Sequence, residues 1–249
     1  MIISFHSYKG GTGKTNVVGN LATHLTNNGK KVMIIDLDTA GPGIHSLLDV
    51  QYSNSLTSYL SKECDADDIC YDLGNGLYAI PCKVTEEDMT TYCDNVAVTK
   101  QLIEQLIGHH VEKHHLDYVI LDCSPGISKS SLLALSIADI PIILTTVDKQ
   151  DIGGTYVFSA IAQKMKKKLH VMFNKIPVQK HDAITGILEE FSEKMSLSII
   201  GTIHYDSDML DLWSRKIMVN YKPSSEFSKR IAELAERIEL KNTSIKNSD

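Results

Sequence analysis

Short apolar runs alternate along the chain with longer stretches whose apolar residues recur every three or four positions. The runs Ile2–His6, Val32–Asp36, Tyr118–Asp122, Pro141–Val147, Val171–Asn174 and Ser198–His204 have the length and near-continuous hydrophobicity of strands buried on both faces. Between them the helical period predicts a first helix that begins in a glycine-rich loop, runs to about Asn27 and is stopped by Gly29. A second stretch, Val96–His115, carries Val98, Leu102, Leu106 and Ile107 along one expected face. A last helix over Ser225–Leu240 has Ile231, Leu234, Ala235 and Ile238 at helical spacing. Asn75-Gly76 between two short apolar runs predicts a hairpin or tight turn. Strands alternating with helices predict an α/β fold, a mainly parallel, twisted central sheet with helices on both faces. No repeat, low-complexity linker or composition break interrupts the pattern, so one domain is expected over residues 1–249, with a frayed polar tail at 241–249.

Composition narrows the partners. The 249 residues carry 31 acidic and 25 basic side chains, and a net charge of −6 argues against attraction of the whole surface to nucleic acid or anionic lipid. The apolar opening Met1–Phe5 is too short for a signal peptide and has no cationic start, and no run approaches a membrane span. Five cysteines, Cys64, Cys70, Cys82, Cys93 and Cys123, form no CxC or CxxC pair, so reduced thiols in a cytoplasmic protein are expected.

The chemistry begins after the first strand, in Ser7-Tyr8-Lys9-Gly10-Gly11-Thr12-Gly13-Lys14-Thr15-Asn16. Strand, glycine-rich loop, Lys-Thr and helix form the context of a phosphate-binding loop. Gly10, Gly11 and Gly13, with Thr12, let backbone N–H groups turn inward around phosphate oxygens, and the helix N-terminus adds its dipole. In this setting Lys14 reaches the β- and γ-phosphates and the Thr15 hydroxyl takes a place on Mg²⁺. The Asn16 amide can reach an α-phosphate oxygen.

The loop Lys9-Gly10-Gly11-Thr12-Gly13-Lys14-Thr15 resembles the deviant Walker A signature of the MinD/ParA family of P-loop ATPases. The resemblance covers nearly the whole chain and is sharpest over residues 9–16, 36–42 and 118–126. It implies an ATP- and Mg²⁺-dependent switch that hydrolyses ATP slowly and dimerises when ATP is bound. Such switches place division sites, chromosomes or other cargo. By the same resemblance Lys9 acts on the phosphates of a partner subunit, Asp38 orients the attacking water, and Asp122 and Asp36 belong to the Mg²⁺ shell. Ser124-Pro125-Gly126 resembles switch II, and Asn174 the asparagine that reads adenine. After Asn174 the position at which guanine-specific loops carry a carboxylate is Pro177, which favours ATP over GTP. The family's Ile-Pro before the base-flanking loop is Ile203-His204 here, and Asn16 replaces its usual Thr or Ser.

Several features are weaker. Gly108–His115 sets His110 and His114 one helical turn apart, a spacing that could hold a metal. With no acidic or cysteine partner in view, the run reads as a helix end favoured by the dipole. Lys164–Lys168 could meet DNA phosphates but reads as a solvated helix end. The final helix has Glu233, Glu236 and Glu239 where a membrane-surface helix would be basic, so docking on the core is expected. The competing readings are a metal-centre or cluster maturation ATPase, which lacks its paired cysteines here, and a tyrosine autokinase, which lacks its tyrosine-rich tail. A regulatory or cargo protein is expected as partner, with a DNA or membrane surface a weaker option.

Overall fold

The computed structural model describes residues 1–83, 96–177, 197–211 and 216–246, together with Gly186 and Phe191. Cys93 and the last three residues of the expected tail lie outside these. Strand β1 (Ile2–Ser7) leads through the glycine loop into helix α1 (Lys14–Asn27) and then β2 (Val32–Leu37). Two short helices follow, α2 (Ile44–Leu47) and α3 (Leu56–Leu60), then a 3₁₀ turn at Ala66–Ile69 and the hairpin β3 (Tyr71–Asp72) and β4 (Leu77–Ile80). Beyond it come α4 (Val96–His114), β5 (Tyr118–Cys123), α5 (Lys129–Ile137), β6 (Ile140–Thr145), α6 (Lys149–Lys164), β7 (His170–Ile176) and β8 (Ser198–His204). Helices α7 (Ser207–Asp211), α8 (Met218–Tyr221) and α9 (Glu226–Lys246) close the chain.

The strands form one eight-stranded sheet in the order β3-β4-β2-β5-β1-β6-β7-β8, parallel except for the β3–β4 hairpin. Helices cover both faces because the central strands are apolar over most of their length on both sides. Val32, Ile34 and Ile120 pack under α1 and α9, whereas Met33, Ile35, Val119 and Leu121 pack under α4 and α5. The expected strands are all present, each displaced by no more than a few residues at its ends. Helix α1 ends as expected, with Gly29 at φ +79°, its N–H on the Thr26 carbonyl and that of Lys30 on Leu25.

Three expectations change. Helix α9 runs to Lys246, past the expected end at Leu240. On α4 the buried stripe is Thr99, Ile103, Leu106, Ile107 and His110, while Val98 is 47% exposed. The stripe is turned from the expected face because His110 is drawn inward to the Ala66 carbonyl, 3.1 Å from its Nε2. The histidine run also has neighbours the sequence did not suggest: Asp67 and Cys70 come from the segment before β3.

Candidate functional site

Chain order and sheet order together make the site. Strand β1 is central, β2 lies to one side of it beyond β5, and β6 lies to the other, so successive connections diverge at the carboxyl end of β1. A crevice opens at such a divergence. The glycine loop fills it, and the β2–β5 register sets Asp36 directly beside Asp122.

The loop is built around left-handed backbone. Gly11 and Gly13 have φ of +77° and +92°, which side chains rarely tolerate. A Cβ on Gly13 would also meet Asn174 Nδ2 at 2.5 Å. Asn174 holds the loop from behind: its Nδ2 donates to the Thr12 carbonyl at 2.8 Å, and its Oδ1 accepts from the Lys175 N–H at 2.9 Å. Lys175 Nζ donates to the Gly11 carbonyl at 2.6 Å. The sequence reading assigned Lys175 nothing; its only signal was adjacency to Asn174.

On the opposite wall the two carboxylates differ in their partners. Asp122 is buried, and its oxygens accept from Lys14 Nζ at 2.6 Å and from the Thr15 hydroxyl at 2.7 Å. Burial works against the Lys14 charge, but the neighbouring Asp122 carboxylate more than offsets this and raises its pKa above the ordinary value. Asp36 instead binds backbone: Oδ1 accepts from Asp38 N–H at 3.0 Å, and Oδ2 from Gly43 and Ile44 N–H at 3.1 Å each. Burial, with the Asp122 charge beside it, pushes Asp36 up to about 8. Asp38 Oδ1 accepts from the Ala40 and Gly41 N–H groups, fixing its buried carboxylate on the wall of the crevice.

The glycine loop, Asp38 and the residues after it, with Ser7 and Pro125, line a cavity of about 400 Å³, and Asp36 and Asp122 stand behind its wall. The Thr12 hydroxyl of the loop is buried without a hydrogen-bond partner. A second cavity of about 370 Å³ adjoins it, where Asn16, Asn174, Lys175, His204, Tyr205 and Asp206 meet. The loop after β5 is tied to the strand ends by Ser124 Oγ donating to the Leu37 carbonyl and by Gly126 N–H to that of Ser7. The Cys123 thiol is wholly buried, and burial pushes its pKa up.

Lys9 stands apart from this set. Its ammonium pairs with Asp148 at 2.7 Å on the protein surface, and Asp148 also caps α6 by accepting from the Gln150 and Asp151 N–H groups. The neighbouring Tyr8 ring packs against α6 at residue 154, which is possible because that residue is glycine; a Cβ there would sit 1.9 Å from the ring.

A family model described as an AAA domain matches residues 1–175. The flagellum site-determining protein YlxH of Helicobacter pylori is 26% identical over 240 residues, 94% of this chain and 80% of its own length. Among solved structures, the MinD cell division protein of Aquifex aeolicus superposes with a TM-score of 0.80 at 21% identity, covering 96% of each chain. The septum site-determining protein MinD of Pyrococcus horikoshii, complexed with Mg-ADP, gives 0.78 at 24% identity and covers 95% of each chain. Among the described residues no helix is long and apolar enough to cross a membrane.

Proposed function

Since the chain belongs to the AAA-domain family of MinD/ParA-like P-loop ATPases, we propose that it is an Mg²⁺-dependent ATPase whose slow turnover operates a dimerisation switch for spatial positioning or partitioning. One domain carries the switch. The observation that carries this reading is the division of labour between two lysines of one loop. Lys14 is buried on Asp122, whereas Lys9 is held at the surface by Asp148 and is absent from the lining of its own subunit's cavity.

The cradle suits a nucleoside triphosphate with Mg²⁺. Gly10 and Gly11 border open space, Gly11 and Gly13 turn the loop at positive φ, and Thr15 with Asp122 offers the oxygen donors a hard cation prefers. Gly10–Asn16 would wrap the phosphates, and the base would lie in the second cavity beside Asn174. Thr15 and Asp122 would hold the metal, with Asp36 shaping that shell by fixing residues 38–44. Bound Mg²⁺ bridges phosphate oxygens and screens their charge. The protein's own share is then positioning: Asp38 orients water, Lys14 supplies a cation in its own subunit, and Lys9 supplies one to a partner.

A metal-centre maturation ATPase has less support, because Cys123, next to Asp122, is buried and burial pushes its thiol pKa up. The absence of a carboxylate at Pro177 favours adenine. The surface and cargo of the switch are to be found by sedimentation with ATP in the presence of DNA, of liposomes and of neither.

The deciding comparison is Lys9→Ala against Lys14→Ala, by nucleotide titration and by sedimentation with a non-hydrolysable ATP analogue. Lys9→Ala is expected to bind nucleotide as the wild type does, yet lose analogue-driven dimerisation and turnover. Lys14→Ala is expected to lose nucleotide affinity itself. A Lys9→Ala protein that dimerises and hydrolyses normally overturns the switch reading.

A further inference from the structure

On the face of the sheet opposite α1, three side chains from two separate segments converge. Cys70 lies between the 3₁₀ turn and β3, and His110 and His114 are one turn apart on α4. One ligand atom from each falls within 4.8 Å of the other two. The two imidazole rings are nearly parallel, at 16° with centroids 5.5 Å apart, and His114 packs on Tyr78 of β4 at 4.3 Å. Tyr78 is in register with Met33, and Met33 with Val119, three residues before Asp36 and Asp122 respectively. This cluster is therefore separate from the nucleotide crevice, and no step proposed above uses it.

His110 supplies the independent observation. It is fully buried, its Nε2 is engaged with the Ala66 carbonyl, and its Nδ1 has no hydrogen-bond partner. Bonding to a carbonyl requires the proton on Nε2, so Nδ1 carries a lone pair in a buried place. An orphaned acceptor of this kind is costly unless something coordinates it. The carbonyl-anchored imidazole is also how metal-binding histidines are commonly fixed in tautomer and orientation.

We propose that Cys70, His110 and His114 form a binding site for a borderline-soft divalent ion, Zn²⁺ in the first instance, with water in the fourth position. Two imidazoles and a thiolate are the donor set that selects such an ion over Mg²⁺ or Ca²⁺. Around tetrahedral Zn²⁺ the ligand atoms stand about 3.3–3.8 Å apart, so closing the site from the present spacing needs shifts of roughly 1 Å. Burial holds the His110 pKa down to about 4 and lowers that of His114, so both rings are neutral and ready to coordinate near neutral pH. Burial pushes the Cys70 thiol up to about 12. Binding therefore replaces the S–H bond by an S–metal bond and releases that proton to solvent.

A neighbouring arrangement, Asp67 with His109 and His110, is the weaker one. Asp67 Oδ1 is already 2.8 Å from the Lys113 ammonium and 2.7 Å from His109, and that pairing holds its carboxyl down at about 2. An ammonium on the same oxygen opposes a dication there. By contrast the Cys70 site would join α4 to the end of the sheet where β3, two residues long, has a partner on one side only among the described residues.

The test is titration of the chelator-stripped full chain with Co²⁺, in excess Mg²⁺ so that oxygen-ligand sites stay filled. One equivalent is expected to bind with a thiolate-to-cobalt absorption band, release of one proton, and loss of the band on adding Zn²⁺. Cys70→Ser and His114→Ala should each abolish the band and weaken Co²⁺ binding by about 100-fold or more, since even the loss of an outer partner costs 10- to 100-fold. His109→Ala should leave both unchanged, and circular dichroism of the variants reports their folding. No band in the wild type, a band that survives Cys70→Ser, or a loss that follows His109 instead would each overturn the site.

Discussion

Asp38 and Gly13 show how much of this site is decided by single atoms. The Asp38 carboxylate is fixed by two backbone N–H groups and faces the cavity, so asparagine at this position can keep those bonds while losing the charge. Asp38→Asn is expected to bind ATP within a few-fold of the wild type and to hydrolyse it about 100-fold more slowly or worse, in line with the usual contribution of a positioned general base. Equilibrium binding and steady-state phosphate release check the two halves separately, and wild-type turnover would move the role elsewhere. Gly13→Ala places a Cβ 2.5 Å from Asn174 Nδ2 on a backbone at φ +92°. The left-handed conformation alone costs about 1–2 kcal/mol for a side-chain-bearing residue. A lowered melting temperature and loss of nucleotide binding are expected together, because the strain falls on the loop that holds the phosphates. The base is chosen nearby. Asn174 uses its amide to brace the loop, and no carboxylate follows at Pro177, so ATP should outcompete GTP in displacement assays. Asp206 in the same cavity is the acceptor to mutate if GTP binds as well.

At the scale of elements, caps tie loops to helices. Ser128 caps α5 just after the loop that follows β5, and its hydroxyl accepts from Ser131 N–H at 3.1 Å while Ser131 Oγ accepts from Ser128 N–H at 2.9 Å. Ser128→Ala is expected to lower stability by about 1 kcal/mol in denaturant unfolding, and Ser128→Asp to restore most of it. Helix α4 carries a different lesson. Its sequence offers two overlapping apolar stripes, one through Val98 and Leu102 and one through Thr99 and Ile103. Helical periodicity locates the helix well, but a rotation by one residue changes the apolar count little. Contacts with Ile35, Ile80 and Leu121, together with the pull of Ala66 on His110, choose the second stripe.

Across the molecule, buried imidazoles make stability depend on pH. His6 is held down at about 3 by burial and then by the Lys14 charge, and burial holds His110 and His170 at about 4. Each folded-state pKa lies below the unfolded value near 6.5, so the folded protein binds fewer protons. The stabilisation is complete above about pH 6.5 and is lost as pH falls through the window toward 4, at up to about 1.4 kcal/mol per pH unit for each group. Urea unfolding with chelator present should show a clear fall in stability between pH 7.5 and pH 5.0. His6→Gln should flatten part of that fall; a flat profile in the wild type would mean that these rings gain protons in the folded state after all.

What the sequence by itself determined was whatever repeats locally or is encoded in contiguous residues. Apolar runs placed the strands, helical spacing placed α1, α4 and α9, and Asn75-Gly76 placed the hairpin, since backbone sterics and amphipathicity act over a few residues. The loop from Lys9 to Asn16 was legible for the same reason, because a phosphate cradle is built from one stretch of backbone. Only the tertiary structure could decide which groups meet across the sheet. Asp122 lies over 100 positions from Lys14, and the strand order that makes Asp36 its neighbour arises from packing helices on both faces. The same holds for Asp148 holding Lys9, for Lys175 bracing Gly11, and for Cys70 beside His110 and His114. Each of these pairs comes from segments far apart in the chain, and nothing in the spacing of either segment records the other. Their proximity is fixed by sheet register and by the burial that turns one face of each helix inward.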